Sequence, residues 1–207
     1  MKRYILMADI VKSSKYDANI LMQEFREISN NINSKFKNDF YSPITITLGD
    51  EFQSIVSSLK SGIEVIITFE ENILQYKEKF RLRYVLNFGE IYTPINPNQA
   101  YQMLGEGFVD TREMLEGLKK SDKRFLIKND DDKISKKLNL AFYVYQSFVD
   151  EWKEKDFKII SEFLKHKDYK LVAKNLRKDI SLMWKRGKSL KIKQYLAVKE
   201  MLSLLSI

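Results

Sequence analysis

Three acidic residues stand in surroundings that favour metal chemistry. Asp9 interrupts an apolar run (YILMADIV), and Asp50 and Glu51 follow Gly49 in the stretch PITITLGDEFQSIVS. A carboxylate beside a hydrophobic core is costly unless a cation or hydrogen-bond donors compensate its charge. Because oxygen ligands suit Mg²⁺ or Mn²⁺, we predict a metal site made of Asp9, the backbone of Ile10, Asp50 and Glu51.

A structural interpretation of the same residues stays open at this point. Asp9 would then cap the helix that follows, and Asp50 and Glu51 would be ordinary residues of a turn. The two interpretations differ in whether the carboxylates converge.

The loop after the first strand is the predicted phosphate-binding segment. Lys12, Ser13 and Ser14 precede an amphipathic helix whose apolar residues recur at helical spacing. Free backbone amides and the positive end of a helix bind phosphate oxygens. We therefore expect nucleotide contacts from Lys12, Ser13 and Ser14, with Gly49 in the neighbouring hairpin.

The periodicity of the first 128 residues predicts the element order βαββαβαβ. The stretch PITITLGDEFQSIVS reads as a hairpin, and RLRYVLNFGEIYT and RFLIK read as strands. Gly89 interrupts the first of these strands, as a bulge or a close backbone approach would. This order predicts an α+β domain of ferredoxin-like type, with a mixed sheet and helices on one face.

The chain divides by composition into two predicted domains. Residues 129–137 are polar and charge-dense, which is typical of a linker, so we predict an αβ domain over 1–128 and a helical domain over 138–207. Short helices at 170–176 and 181–186 have a helix-turn-helix layout. Trp184 is expected in the core of this domain.

The positive charge is concentrated in the last quarter of the chain. Residues 151–207 hold 15 Lys and Arg against 7 Asp and Glu, which accounts for the whole net charge of +8. Such a segment favours a polyanion, so duplex DNA is the predicted partner. The predicted DNA-binding residues are Lys178, Lys185, Arg186, Lys188 and Lys191. A solvated helical face or a protein-interaction bundle is the alternative.

Composition excludes several classes of site. The chain has no cysteine and one histidine, so thiolate zinc sites, cysteine nucleophiles and multi-histidine metal sites are excluded. It has neither a long apolar run nor a signal-peptide pattern, and we therefore expect a cytoplasmic protein without membrane contact.

The segments ADIVKSS and TLGDEF resemble the paired metal-binding motifs of class III nucleotide cyclases and GGDEF-type cyclases. Together with the tail VAKNLRKDISLMWKRGKSLKIKQYLAVKEML, the whole chain resembles the SatD family, a nucleotide-cyclase-like domain followed by a small all-α helix-turn-helix domain. The resemblance implies that Mg²⁺ or Mn²⁺ positions a nucleoside triphosphate at Asp9 and Asp50. The resemblance also makes a homodimer possible, because related cyclases form their active sites between two subunits.

The chain departs from the cyclase pattern where cyclases place an Asn and an Arg, in a G-x-x-V-N-x-A-x-R run. Alignment on Gly105 puts Val109 and Glu113 at these positions, and no catalytic residue is therefore assigned. Arg112 lies nearby as a candidate phosphate contact. The function we expect is a nucleotide-responsive transcriptional regulator. A metal-dependent nucleotide cyclase or nucleotidyltransferase and a protein-interaction adaptor are the alternatives.

Overall fold

The computed structural model describes all residues 1–207 and contains one mixed sheet with the strand order β2-β3-β1-β4-β5. The strands are β1 (Lys2–Ile10), β2 (Phe40–Ile46), β3 (Glu51–Val56), β4 (Leu82–Glu90) and β5 (Phe125–Lys128). Neighbouring strands are antiparallel except for β4 and β5, which are parallel. The first four strands and their two helices have the predicted ferredoxin-like βαββαβ order.

The helices alternate with the strands in the first part of the chain and follow one another in the last part. They are α1 (Ala18–Lys35), α2 (Leu59–Ile73), α3 (Glu106–Lys119), α4 (Asp132–Glu151), α5 (Phe157–His166), α6 (Tyr169–Leu176), α7 (Ile180–Ser189) and α8 (Ile192–Leu205). None of them is both long enough and apolar enough to cross a membrane.

Helices cover both faces of the sheet, so the prediction of helices on one face was wrong. Leu6 and Ala8 of β1 pack into the large core with α1 and α2, whereas Ile5 and Met7 pack with Leu115 of α3 on the other face. A continuous apolar strand such as β1 is buried on both sides, and α3 supplies the second cover.

Strand pairing places the predicted site at one end of β1. Asp9 lies directly opposite Glu51 of β3 and opposite Arg83 of β4. The hairpin of β2 and β3 therefore lies beside β1, as the metal hypothesis required.

The helical part of the chain shares its core with the sheet. The ring of Phe125 in β5 stacks on Phe142 of α4 with centroids 4.9 Å apart, and Tyr145 of α4 contacts Tyr195 of α8. The predicted linker over 129–137 is shorter than expected, because α4 begins at Asp132 with Asp131 as its N-cap. Polar residues there form the exposed start of a helix. Independent folding of two domains stays a prediction.

Candidate functional site

Asp9 is buried at the end of β1, with only 4% of its surface exposed. Its Oδ2 atom lies 3.3 Å from Nη1 of Arg83 and 3.6 Å from Nζ of Lys119. Its Oδ1 atom is also buried but accepts no hydrogen bond. An unpaired buried carboxylate oxygen is costly, so this atom marks a place where a further donor or cation would stabilise the protein.

The protonation of Asp9 reflects this incomplete compensation. Burial raises the pKa of Asp9 above its ordinary value, although the charges of Arg83 and Lys119 oppose the rise. Lys119 itself stays protonated, because its hydrogen bond to Glu116 raises the pKa of the ammonium group. Burial therefore destabilises the ionised carboxylate of Asp9 by more than the two cations stabilise it.

Glu51 is the second buried carboxylate of the site. Its Oε2 atom lies 3.1 Å from Nη1 of Arg112, and its Oε1 atom lies 3.6 Å from Nζ of Lys119. Arg112 and Lys119 stand seven residues apart on α3, which puts them on one helix face. Lys119 thus bridges Asp9 and Glu51, and α3 covers the carboxylate pair with positive charge.

Asp50 is held in a different way, at the tip of the hairpin. Its Oδ2 atom accepts a hydrogen bond of 2.7 Å from the Ser13 hydroxyl, and its backbone carbonyl accepts one of 2.9 Å from the amide of Ile10. Gly49 takes a positive φ of 86°, which glycine adopts without strain. These bonds dock the hairpin tip against the end of β1 and the loop that follows it.

The loop after β1 presents backbone amides beside Asp50. Lys12 is in the left-handed region and a 3-10 turn follows at Ser13–Lys15. The amides of Lys12, Ser13 and Ser14 donate no hydrogen bond within the chain. Successive amides in alternating left- and right-handed conformations form an anion-binding concavity.

The start of α1 is already capped. The side chain of Asp17 accepts hydrogen bonds from the amides of Asn19 and Ile20. The alternative in which Asp9 caps this helix is therefore wrong. The positive end of α1 is also neutralised by Asp17, so phosphate contacts in this loop would depend on the amides of Lys12, Ser13 and Ser14.

Close backbone contact sets the position of α3 over the site. A Cβ atom on Gly89 of β4 would lie 2.5 Å from the Cα atom of Gly107 in α3. Beside this contact, buried Asn87 donates to the Thr111 hydroxyl at 3.1 Å. The interruption predicted at Gly89 is thus a close backbone approach, and it brings Arg112 within reach of β3.

Sequence reasoning missed the cations of this site, Arg83 and Lys119. Arg83 is a polar residue between Leu82 and Tyr84 in the β4 alternation, and Lys119 follows Arg112 at helical spacing. Neither signal points to Asp9 without knowledge of the strand order.

The arrangement has some features of a cation site. No group of three or more Asp, Glu or His side chains in the chain is arranged to hold a metal ion. The unpaired Oδ1 atom of Asp9 and the carboxylate of Asp50 nevertheless offer oxygen donors of the type that Mg²⁺ and Mn²⁺ prefer. The donor chemistry fits a hard cation, although Lys119 and Arg83 also lie near Asp9.

The helix pair predicted near the C-terminus is present. The three residues Arg177, Lys178 and Asp179 join α6 to α7, and Arg177 takes the left-handed conformation in which glycine is usual. The assignment of this pair as a DNA-binding helix-turn-helix unit stays a prediction.

The predicted DNA-binding side chains differ in their surroundings. Arg186 pairs with Asp156, and Lys191 pairs with Glu151 at 2.7 Å. Lys178 and Lys185 are exposed. The five predicted residues are therefore not equally available to a polyanion.

Trp184 does not lie in the core, and the prediction that it does was wrong. Its surface is 44% exposed, and Nζ of Lys188 lies 3.7 Å from the centre of its ring system. Met183 takes the buried position instead. One residue of difference in helical phase decides which of the two adjacent apolar side chains faces inward.

Comparison with solved structures finds similarity to several nucleotide cyclases. A bacterial light-regulated adenylyl cyclase is 12% identical with a TM-score of 0.48, and the match covers 61% of this chain and 43% of that chain. The catalytic core of a rhodopsin-guanylyl cyclase with converted specificity, in complex with ATPαS, is 17% identical with a TM-score of 0.45, covering 61% and 76%. The guanylate cyclase domain of RhGC from Catenaria anguillulae, in complex with GTP, is 17% identical with a TM-score of 0.42, covering 61% and 77%. The chain thus spans less than half the length of the light-regulated enzyme.

A search of curated proteins finds no match. The sequence model of the SatD family, in contrast, matches residues 4–205. This match covers both the sheet with its carboxylate site and the C-terminal helices. The chain therefore belongs to the SatD family.

Proposed function

We propose that this protein is a nucleotide-responsive regulator that binds a metal-chelated nucleotide at the end of β1 and duplex DNA with its C-terminal helices. The observation that carries the proposal is the buried Oδ1 atom of Asp9, which lacks any hydrogen-bond partner. A carboxylate left in this state gains stability from a ligand that brings positive charge.

The nucleotide would be held by two neighbouring groups of atoms. Asp9 and Asp50 would hold Mg²⁺ or Mn²⁺, and the free amides of Lys12, Ser13 and Ser14 would bind phosphate oxygens. The metal, when bound, would neutralise phosphate charge. The Ser13 hydroxyl, which donates to Asp50, links the two groups, so binding at one would orient the other.

The DNA-binding part of the proposal depends on charge and exposure in α6 and α7. Ser181, Trp184, Lys185 and Lys188 are all exposed and recur at the spacing of one helix face. Lys178 lies in the turn that precedes this helix. In a helix-turn-helix unit the second helix enters the major groove, and residues of the turn and helix ends contact the backbone.

The nucleotide site is tested by thermal shift on the full chain. A ligand at about 100 times its dissociation constant stabilises a protein by about 2.7 kcal/mol. For a chain of this size we therefore expect MnCl₂ with a nucleoside triphosphate to raise the melting temperature by about 5 to 11 °C. Asp9→Asn should abolish the part of the rise that requires MnCl₂, whereas exposed Asp122→Asn should retain it. An equal rise in both variants would contradict the site.

The DNA site is tested by the salt dependence of duplex binding by the full chain. Each lost phosphate contact should flatten the slope of log K against log salt by about 0.9. We expect Lys178→Ala and Lys185→Ala to weaken binding and flatten this slope. Lys60→Ala, which removes an exposed charge from α2, is the matched control. Equal effects of all three substitutions would contradict recognition by the helix pair.

One observation favours the enzyme alternative. Arg112 reaches to 3.1 Å from Glu51, so an arginine of α3 does stand at the carboxylate site although the cyclase Asn and Arg pattern is missing. A cationic group there would stabilise charge that develops on a transferred phosphoryl group. Release of pyrophosphate at about 1 per second or faster, lost in Arg112→Ala, would establish a nucleotide cyclase or nucleotidyltransferase in place of the regulator.

A further inference from the structure

A second concave site lies among the C-terminal helices, away from the carboxylates. It is a groove of about 750 Å³ between the end of α5, the start of α6, α7 and the start of α8. This volume falls within the range of small-molecule sites, roughly 300 to 1,000 Å³.

Four lysines line this groove with a single carboxylate among them. Lys167, Lys170, Lys188 and Lys193 are all exposed, and none forms an ion pair with an acidic side chain of the chain. The carboxylate belongs to Asp168, and its Oδ1 atom accepts a hydrogen bond from the amide of Lys170 as the N-cap of α6. The groove therefore concentrates positive charge that the protein itself does not neutralise.

Basic residues next to the groove behave differently. Lys191 pairs with Glu151 at 2.7 Å, and Arg186 pairs with Asp156. Residues with the same charge therefore do form ion pairs here when acidic side chains are within reach. Like charges gathered around a cavity repel one another, and an anion bound between them relieves that repulsion.

The groove also offers an aromatic surface. Trp184 forms part of its wall, and the ammonium group of Lys188 lies 3.7 Å from the centre of its ring system. Phe163 and Ile192, both buried, form an apolar floor. Gly187 permits this floor, because a Cβ atom there would lie 3.0 Å from the ring of Phe163. An aromatic and apolar surface thus lies beside the exposed lysines of the groove.

We propose that this groove binds a nucleoside triphosphate without a metal ion, with the base against Trp184 and the phosphates among Lys167, Lys170, Lys188 and Lys193. The four lysines match the three to four negative charges of a triphosphate, and the tryptophan ring offers a surface on which the base would stack. The site is separate from the proposed carboxylate site, which depends on a divalent cation. It shares Trp184 and Lys188 with the proposed DNA-binding face, so the triphosphate and the duplex would compete for these side chains. The inference does not rest on that proposed function.

The test is isothermal titration of the full chain with ATP in EDTA, which removes any metal-dependent binding at the carboxylates. Parallel titrations use tripolyphosphate, adenosine and a short single-stranded oligonucleotide. We expect ATP to bind more tightly than tripolyphosphate, and adenosine to bind weakly. Stacking on an aromatic side chain contributes enough that Trp184→Leu should weaken ATP binding by about tenfold.

Charge substitutions locate the site and provide the control. Lys170→Glu with Lys193→Glu should abolish ATP binding in EDTA, whereas Lys158→Glu with Lys174→Glu, an equal change of charge at exposed positions outside the groove, should not. Circular dichroism verifies that each variant is folded. Equal affinity for tripolyphosphate and ATP, binding of the oligonucleotide alone, or no binding of ATP would each overturn the proposal.

Discussion

Arg124 is the most completely buried cation of the chain, and its replacement by methionine tests how the C-terminal helices are joined to the sheet. Its guanidinium group donates to Glu70 of α2 at 3.0 and 2.8 Å and to Asp150 of α4 at 3.1 Å. A further bond of 2.6 Å reaches the carbonyl oxygen of Leu82 in β4. Burial lowers the pKa of Arg124, but Glu70 and Asp150 together outweigh burial and raise this pKa above its ordinary value, so the group is always charged.

The cost of the substitution follows from the burial of both partners. The side chains of Arg124 and Glu70 are only 7% and 8% exposed, so Arg124→Met leaves the Glu70 carboxylate without its cation in a desolvated place. Removal of one partner of a buried ion pair costs about 3 to 5 kcal/mol. For a chain of this size we therefore expect a fall in melting temperature of about 6 to 20 °C.

Calorimetry and urea denaturation measure this loss. The matched control is Lys128→Met, because Lys128 and Asp132 form a pair of similar length (2.7 Å) whose side chains are 49% and 86% exposed. An exposed pair contributes at most about 1 kcal/mol. Arg124→Met combined with Glu70→Leu should recover part of the loss, since no buried charge remains on α2. A loss no greater than that of the control would refute the reasoning.

Three further predictions concern the carboxylate site. Burial raises the pKa of Asp9 in the folded chain, so the contribution of Asp9 to the free energy of unfolding is greatest below about pH 3.8 and is lost as the pH rises through the folded pKa. Denaturation measured from pH 3 to 7 should show this loss of stability in the wild type and not in Asp9→Asn. Lys119→Met removes a cation that lies 3.6 Å from both Asp9 and Glu51, so it should raise the affinity for Mn²⁺ by about twofold to fivefold in a calorimetric titration. An unchanged or lower affinity would contradict a cation site. Gly89→Ala should destabilise the chain and weaken any binding at the site, because its Cβ atom would lie 2.5 Å from the backbone of α3; a variant with the melting temperature of the wild type would contradict that contact.

Much of the candidate site could be predicted because its acidic residues stand out in local sequence patterns. Asp9 is conspicuous as the one charge in the apolar run YILMADIV, and Gly49 and Asp50 are conspicuous in a turn between alternating runs. The partners of Asp9 could not be predicted in the same way. Arg83 and Lys119 reach it through the strand order and through the docking of α3, which are properties of the folded chain.

The C-terminal helices show the same limit. Their positions follow from apolar spacing, and the short turn between α6 and α7 lies where the sequence places it. Apolar spacing does not predict the exposure of Trp184, because Met183 and Trp184 are both apolar and only one of them can face the core. Which lysines pair with acids and which line a groove likewise depends on side chains from several helices.

The sequence by itself determined the order of strands and helices, the acidic residues at the end of β1 and the concentration of positive charge after residue 150. These are properties of neighbouring residues, and hydrophobic periodicity and charge report them directly. The tertiary structure decided that α3 covers the opposite face of the sheet, that Lys119 bridges Asp9 and Glu51, and that one core joins the sheet to α8. Each of these depends on contacts between residues far apart in the chain, which packing selects only when all elements are in place.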